Sequence, residues 1–211
     1  MKTKLAILSV ISAALLTTTA FAQIVAVHGS TAAPGAALGP YTMTSFGADL
    51  RPAFSSVSSV DSPLGGSVLF STPQEIRSIG GGWATWSHGY TGTVYFGGGT
   101  SLTLTLPTQT WAFYFYIEPD PFSDVSFTFT SGDNSFSEVV NGNSAAEYIG
   151  FYGLNGSTID SINISADTGF AVGEFAIASS FGGAVPEPST YGLLGAAALC
   201  GLIAFRRFRR R

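Results

Sequence analysis

Between Leu102 and Ile164 the apolar side chains recur at every second position, and no stretch from Gln23 to Ala184 sustains them at helical spacing. Leu102, Leu104 and Leu106 alternate with threonines. Trp111, Phe113, Phe115 and Ile117 read as one face of TWAFYFYI, with Tyr114 and Tyr116 on the other. Val125, Phe127 and Phe129 alternate in DVSFTFT, and Ile162 and Ile164 in SINI. A period of two sends successive side chains to opposite faces of a strand, so a chain patterned this way buries itself as β-sheet. Turn-forming clusters at Gly97-Gly98-Gly99, Pro119-Asp120-Pro121, Ser131-Gly132-Asp133-Asn134 and Asn141-Gly142-Asn143 punctuate the runs. The expectation is an all-β domain over residues 23–184, a two-sheet antiparallel β-sandwich of jelly-roll type, with Thr31 to Gly66 loop-rich. TWAFYFYI is apolar on both faces, which predicts a central strand covered on both sides.

Charge narrows the partners. Charged residues make up 10% of the chain, against roughly 25% in ordinary soluble domains. Between Gln23 and Ala184 the only basic residues are Arg51 and Arg77, against twelve acidic ones, a net charge of −10. A phosphate backbone is repelled by such a domain, which excludes nucleic acid. The single cysteine, Cys200, lies outside this region, so the domain must stand on packing without a disulfide.

Both ends read as addresses. Lys2 and Lys4 precede an apolar run from Leu5 to Leu16, and Ala20-Phe21-Ala22 supplies the small-x-small pattern cut by signal peptidase. Residues 1–22 are thus expected to be a signal peptide, cleaved between Ala22 and Gln23. At the other end Val185-Pro186-Glu187-Pro188-Ser189-Thr190 precedes YGLLGAAALCGLIAF and a terminal RRFRRR. The Pro-Glu-Pro stretch cannot join a helix. The uncharged run that follows is long enough, at about 1.5 Å per helical residue, to cross most of a bilayer core of roughly 30 Å. Arg206, Arg207, Arg209, Arg210 and Arg211 then stop transfer and stay cytoplasmic, leaving the domain outside.

Residues 185–211 resemble the PEP-CTERM sorting signal of exported proteins in Gram-negative bacteria that make exopolysaccharide. Val185 to Thr190 match its VPEPST-like motif, Gly192, Leu193 and Leu194 its helix, and the arginines its basic end. The resemblance implies recognition by an exosortase, with Pro186, Glu187 and Pro188 as substrate residues, processing near them, and passage from the inner membrane to the cell surface. Residues 83–178 are similar, more loosely, to the β-sandwich region of such proteins. Gly169-Phe170-Ala171 matches their closing strand, and Gly173-Glu174 departs from it.

Chemistry is sparse in the domain. His28 and His88 stand without HExxH, HxH or Cys/His company, so no metal and no cofactor are expected. Ser87 and His88, as neighbours on a strand, would face opposite ways and form no dyad. Glu118, Asp120 and Asp124 in IEPDPFSD read as acids of a rigid exposed turn, with a calcium loop as the alternative use. Trp83 and Trp86, three apart, would fall on opposite strand faces, which favours core packing over a continuous sugar platform.

These readings give an exported, non-enzymatic β-sandwich protein with a structural or adhesive role in the envelope or exopolysaccharide matrix. Exosortase, signal peptidase and the membrane are its implied partners, with no catalytic residues. The alternative is a carbohydrate-binding module, with or without calcium. The exported protein is expected to begin at Gln23; N-terminal sequencing that returns Met1 would refute the cleavage.

Overall fold

A computed structural model describes residues 23–179. The signal segment with Ala20 and Ala22, the sorting motif Val185 to Thr190 and the arginines from Arg206 to Arg211 lie outside the described residues. Gln23 opens the first strand, β1 (Gln23–His28). Three two-residue strands follow, β2 (Ala37–Leu38), β3 (Tyr41–Thr42) and β4 (Thr44–Ser45), then the hairpin β5 (Ser56–Asp61) and β6 (Ser67–Ile79). Next come β7 (Gly82–Trp83), β8 (Thr93–Phe96), β9 (Ser101–Thr105) and β10 (Ala112–Pro119). The hairpin β11 (Asp124–Ser131) and β12 (Asn134–Asn141) leads to β13 (Glu147–Leu154), β14 (Ser161–Ala166) and β15 (Phe170–Ala178). No helix occurs among the described residues.

The all-β, antiparallel expectation holds, apart from the short parallel pairing of β6 with β7. The expectation of two separate sheets does not. Ladder bonds run without a break through β1-β13-β10-β15-β8-β6-β9-β14-β11-β12, and only β2 and β3 form a sheet of their own. The joint is β6, thirteen residues long. It pairs with β9 at Leu69 and Phe70, and with β8 from Glu75 to Arg77. Pro73, which cannot donate to a ladder, sits between the two pairings. One strand thus serves both halves, and the sheet is rolled nearly into a barrel.

Rolling encloses one face. Phe115 of β10 meets Phe129 of β11 at 6.1 Å between ring centroids, and Phe127 meets Phe170 of β15 edge-on at 5.4 Å. Phe70 of β6 lies 6.4 Å from Phe175. β11 is remote from β10 and β15 along the sheet, so its contacts with them cross the core. The sheet's two ends meet without a ladder: His28 of β1 stacks on Phe136 of β12 at 4.2 Å, and the Asn134 side-chain amide donates to the Ile24 backbone carbonyl at 2.5 Å.

Strand β10 is the centre of the molecule. It pairs with β13 on one side and β15 on the other, and all eight of its residues are buried. Phe113, Phe115 and Ile117 enter the enclosed core. Ala112, Tyr114 and Tyr116 face outward into a second apolar cluster, covered by Leu38, Tyr41, Trp83 and Trp86. The two-sided burial expected of TWAFYFYI is therefore present. Trp111 departs from its expected face: it precedes the strand and packs against the second cluster. Phe115 is fully buried, so Phe115→Ala is expected to cost about 3–5 kcal/mol through lost burial and the cavity it leaves. Denaturant unfolding checks this, and a loss under 1 kcal/mol would contradict the packing described.

Candidate functional site

The segment between β7 and β8 carries the chemistry of the domain. Trp83 closes β7, and residues 84–92 then run outside regular strand, with His88 at φ 40°. The alternation argued for a strand fails here. Trp83 and Trp86 enter the same cluster on the outer side of β10, each 6% exposed. Ser87 and His88 are not turned apart: Ser87 Oγ lies 2.9 Å from His88 Nδ1. The aromatic segment is core, as expected, and its indole nitrogens reach two glutamates.

The first is Glu118. In β10 the outward series Ala112, Tyr114, Tyr116 continues to Glu118, which carries it under the Trp83 ring. The carboxylate is 1% exposed and not a solvated turn acid. Trp83 Nε1 donates to Oε2 at 2.5 Å and Thr85 Oγ1 to Oε1 at 3.1 Å, with backbone amides of Ser144 and Ala145 adding to these. Burial outweighs the donors and pushes the Glu118 pKa up to about 6. A cavity of about 190 Å³ opens beside it, bordered by Trp83, Thr85, Asp120, Phe122 and Gly142. Gly142 is required there, because a Cβ would sit 2.0 Å from the Pro121 carbonyl oxygen. Phe122 stands at the rim, 64% exposed. Asp124 turns elsewhere and accepts from the Asn141 amide at 2.6 Å. The donors aimed at Glu118 occupy the oxygens that calcium would need, and among the described residues no group of three His, Cys, Asp or Glu could hold a metal.

The second is Glu174 on β15. Regular alternation from Phe170 and Val172 would drive it into the core. The register against β10 instead shifts between Tyr114 and Tyr116, and Glu174 takes φ 54° in this bulge. The bulge turns its carboxylate outward. There it accepts from Trp86 Nε1 at 3.2 Å and lies 2.9 Å from His88 Nε2. Nε2–H donates to Glu174, Nδ1 lies between the Ser87 hydroxyl at 2.9 Å and the Thr31 carbonyl at 3.3 Å, and the ring tilts against Tyr116 at 4.9 Å. Serine, histidine and carboxylate are thus in line, but Ser87 is 3% exposed and closed to a substrate carbonyl. The cluster clamps the covering segment onto the sheet. The apolar period of FAVGEFAI slips by one between Val172 and Phe175, a signal in the sequence that marks this bulge.

His28 forms a third cluster. Its Nδ1 pairs with Glu138 of β12, and nearby Glu147 has its pKa raised by burial and by Glu138.

Comparison with known proteins defines a class at the level of sorting. Residues 184–211 match the family model described as the PEP-CTERM protein-sorting motif. The chain is an exported protein whose tail is handled by an exosortase. No curated protein sequence matches this one. Among solved structures, the CBM22-1–GH10 modules of the Clostridium thermocellum N-terminal endo-1,4-beta-D-xylanase 10B, complexed with xylohexaose, are similar at a TM-score of 0.32 and 9% identity. The similarity covers 51% of this chain and only 25% of that one.

The Glu118 shift has a consequence for stability. A folded pKa of about 6 against an ordinary 4.5 means that the native state holds this proton more tightly than the unfolded chain does. Its contribution is full below pH 4.5 and is lost as pH rises through about 6, a change of roughly 2 kcal/mol. Urea titrations of the wild type and Glu118→Gln at pH 4.5 and 7 should differ by that amount in their pH dependence. Identical dependence would show that the carboxyl is not strained by burial.

Proposed function

We propose that this is a non-enzymatic, exported protein with a structural or adhesive role in the cell envelope or exopolysaccharide matrix, held at the inner membrane until an exosortase processes its tail. The observation that carries this is the sorting motif over residues 184–211. Signal peptidase frees the chain at Gln23. Tyr191 to Phe205 then spans the inner membrane, Arg206 to Arg211 holds the cytoplasmic side, and Val185 to Thr190 is presented outside. The domain of residues 23–184 is the cargo. Glu118, Glu174 and Glu138 are held internally by indole, hydroxyl and imidazole donors, which suits a packed module better than a reactive one.

A second reading is favoured by one feature, the Phe122 ring exposed at the rim of the Trp83–Glu118 cavity. That ring beside the exposed Asp120 carboxylate and the Thr85 hydroxyl is a small carbohydrate-binding site in outline, apolar face and polar anchor together. Neither reading uses calcium at Glu118.

Anchoring and recognition are separable, which gives the test. Anchoring needs the apolar run and the arginines, whereas recognition needs the extended motif just outside the bilayer. In exosortase-bearing cells, replacing Pro186, Glu187 and Pro188 by alanine should preserve insertion and abolish processing. Intact-mass measurement of the surface form decides the matter: a wild-type mass that still includes Arg206 to Arg211 would reduce the tail to a plain anchor.

A further inference from the structure

The outer face of the other half of the sheet carries a periodic array of hydroxyls. Strands β12, β11, β14 and β9 are consecutive in the sheet. Their inward residues, Phe127, Phe129, Ile162, Ile164, Leu102 and Leu104, fill the core. The residues between these point outward, and the register aligns them into rows. One row runs Ser137, Thr128, Ser165, Ser101 and the next Ser135, Thr130, Asn163, Thr103. Ser71 of β6 extends the second row by accepting the Thr103 amide at 2.9 Å. Sheet geometry spaces the rows by about 6.8 Å along the strands and their members by about 4.8 Å across them.

Three properties of the face select its partner. Its two rows are uncharged: neither contains an ionisable side chain, with Asp124 standing beyond them at the start of β11, although the domain as a whole is strongly acidic. The two rows are polar throughout, with no aromatic group for ring stacking, and Val139 and Leu69, each about half exposed, flank them on the same face. It is also pre-ordered. Thr128 pairs with Ser137 and Thr130 with Ser135, each at 3.1 Å, and Thr103 donates to Asn163 at 2.7 Å. These paired hydroxyls spend part of their capacity on a neighbour and keep the rest for a ligand, at little cost in side-chain ordering.

We propose that this face binds a neutral, extended polysaccharide ribbon through matched rows of hydroxyls. The inference rests on the matrix reading given above and names its ligand class and surface. An extended neutral glycan presents donors and acceptors together at regular intervals, with sugar units about as long as one strand spacing is wide. Single hydroxyl pairs in water are weak, so retention depends on their number. Ordered ice is the rival lattice, but adjacent strands rotate by roughly 20–25°, and a rigid plane loses register over four strands where a flexible chain follows.

The experiment uses the full-length protein in detergent micelles with two probes of the same backbone, particulate cellulose and its carboxymethylated form. The wild type should be retained on cellulose, insensitively to salt, and more weakly on the anionic form. The triple variant Thr103→Val, Thr128→Val and Thr130→Val keeps shape and strand preference, and should lose at least tenfold in affinity with an unchanged melting temperature. Serine at the same three positions keeps the hydroxyls and should keep binding, which holds the test open if the valine variant is destabilised. Absence of wild-type retention, or equal retention by the valine variant, overturns the proposal. Loss of binding in Phe122→Ala alone would place the ligand in the cavity instead. Ice shaping without cellulose retention would make the lattice a binder of ordered water and overturn it likewise. Processing of the tail is read separately by mass, so a failure of sorting leaves the binding result standing.

Discussion

Everything in this molecule follows from one strand that must be covered on both faces. β10 brings three aromatic or aliphatic side chains to one side and two tyrosines to the other, and ladders on both edges leave it no access to water. A single sheet can cover only one face of such a strand by rolling over it. The second face needs separate cover, and the chain supplies it with the segments around β2–β3 and residues 83–92. Apart from Trp83 at the end of β7, the cover is not part of the main sheet, and no ladder ties it to β10. It is fixed by side chains, and those side chains are what gather the polar clusters.

The scarcity of cations decides how these clusters are made. With two arginines in the domain, buried or half-buried acids cannot all be paired with fixed positive charge. Arg51, with Tyr95, takes Asp49, and the salt bridge to Arg77 takes Glu75. The others turn to neutral or titratable donors: Trp83 and Thr85 for Glu118, Trp86 and His88 for Glu174, His28 for Glu138. Neutral donors offset desolvation less fully than an ion pair of good geometry would, which is why burial still raises the Glu118 pKa. The same donors fix the covering segment in one place, and the tryptophans that cover the second core are also the groups that tie down its acids.

What the sequence made legible was whatever depends on neighbours along the chain. The period of two marked the strands, and TWAFYFYI marked its own two-sided burial, because both are local consequences of alternation. The motif at the C-terminus was legible for the same reason, as a linear signal read by another protein. The long-range features were not. That β6 joins both halves depends on which strands meet it at residues 69–70 and 75–77, and nothing in its own composition says so. The Ser87–His88 contact was misjudged because strand alternation was assumed where the chain leaves strand geometry. The pairing of His28 with Glu138 exists only because the sheet's ends meet, 110 residues apart in sequence.

The hydroxyl face shows the same limit from the other side. Each of its strands announces outward serines and threonines in sequence, and taken singly these are ordinary solvent-facing positions. Only register turns four such strands into rows, and only the topology puts β9, β14, β11 and β12 side by side. The same topology sets this face on the half of the sheet opposite β10, away from the covering segment. One half of the rolled sheet therefore spends its outer surface on closing the second core, and the other half keeps its outer surface bare, with two adjacent rows that carry no charge. Keeping those rows neutral over adjacent strands, in a chain with acids to spare, is the physical reason to look for a ligand there and not in the clusters beneath the tryptophans.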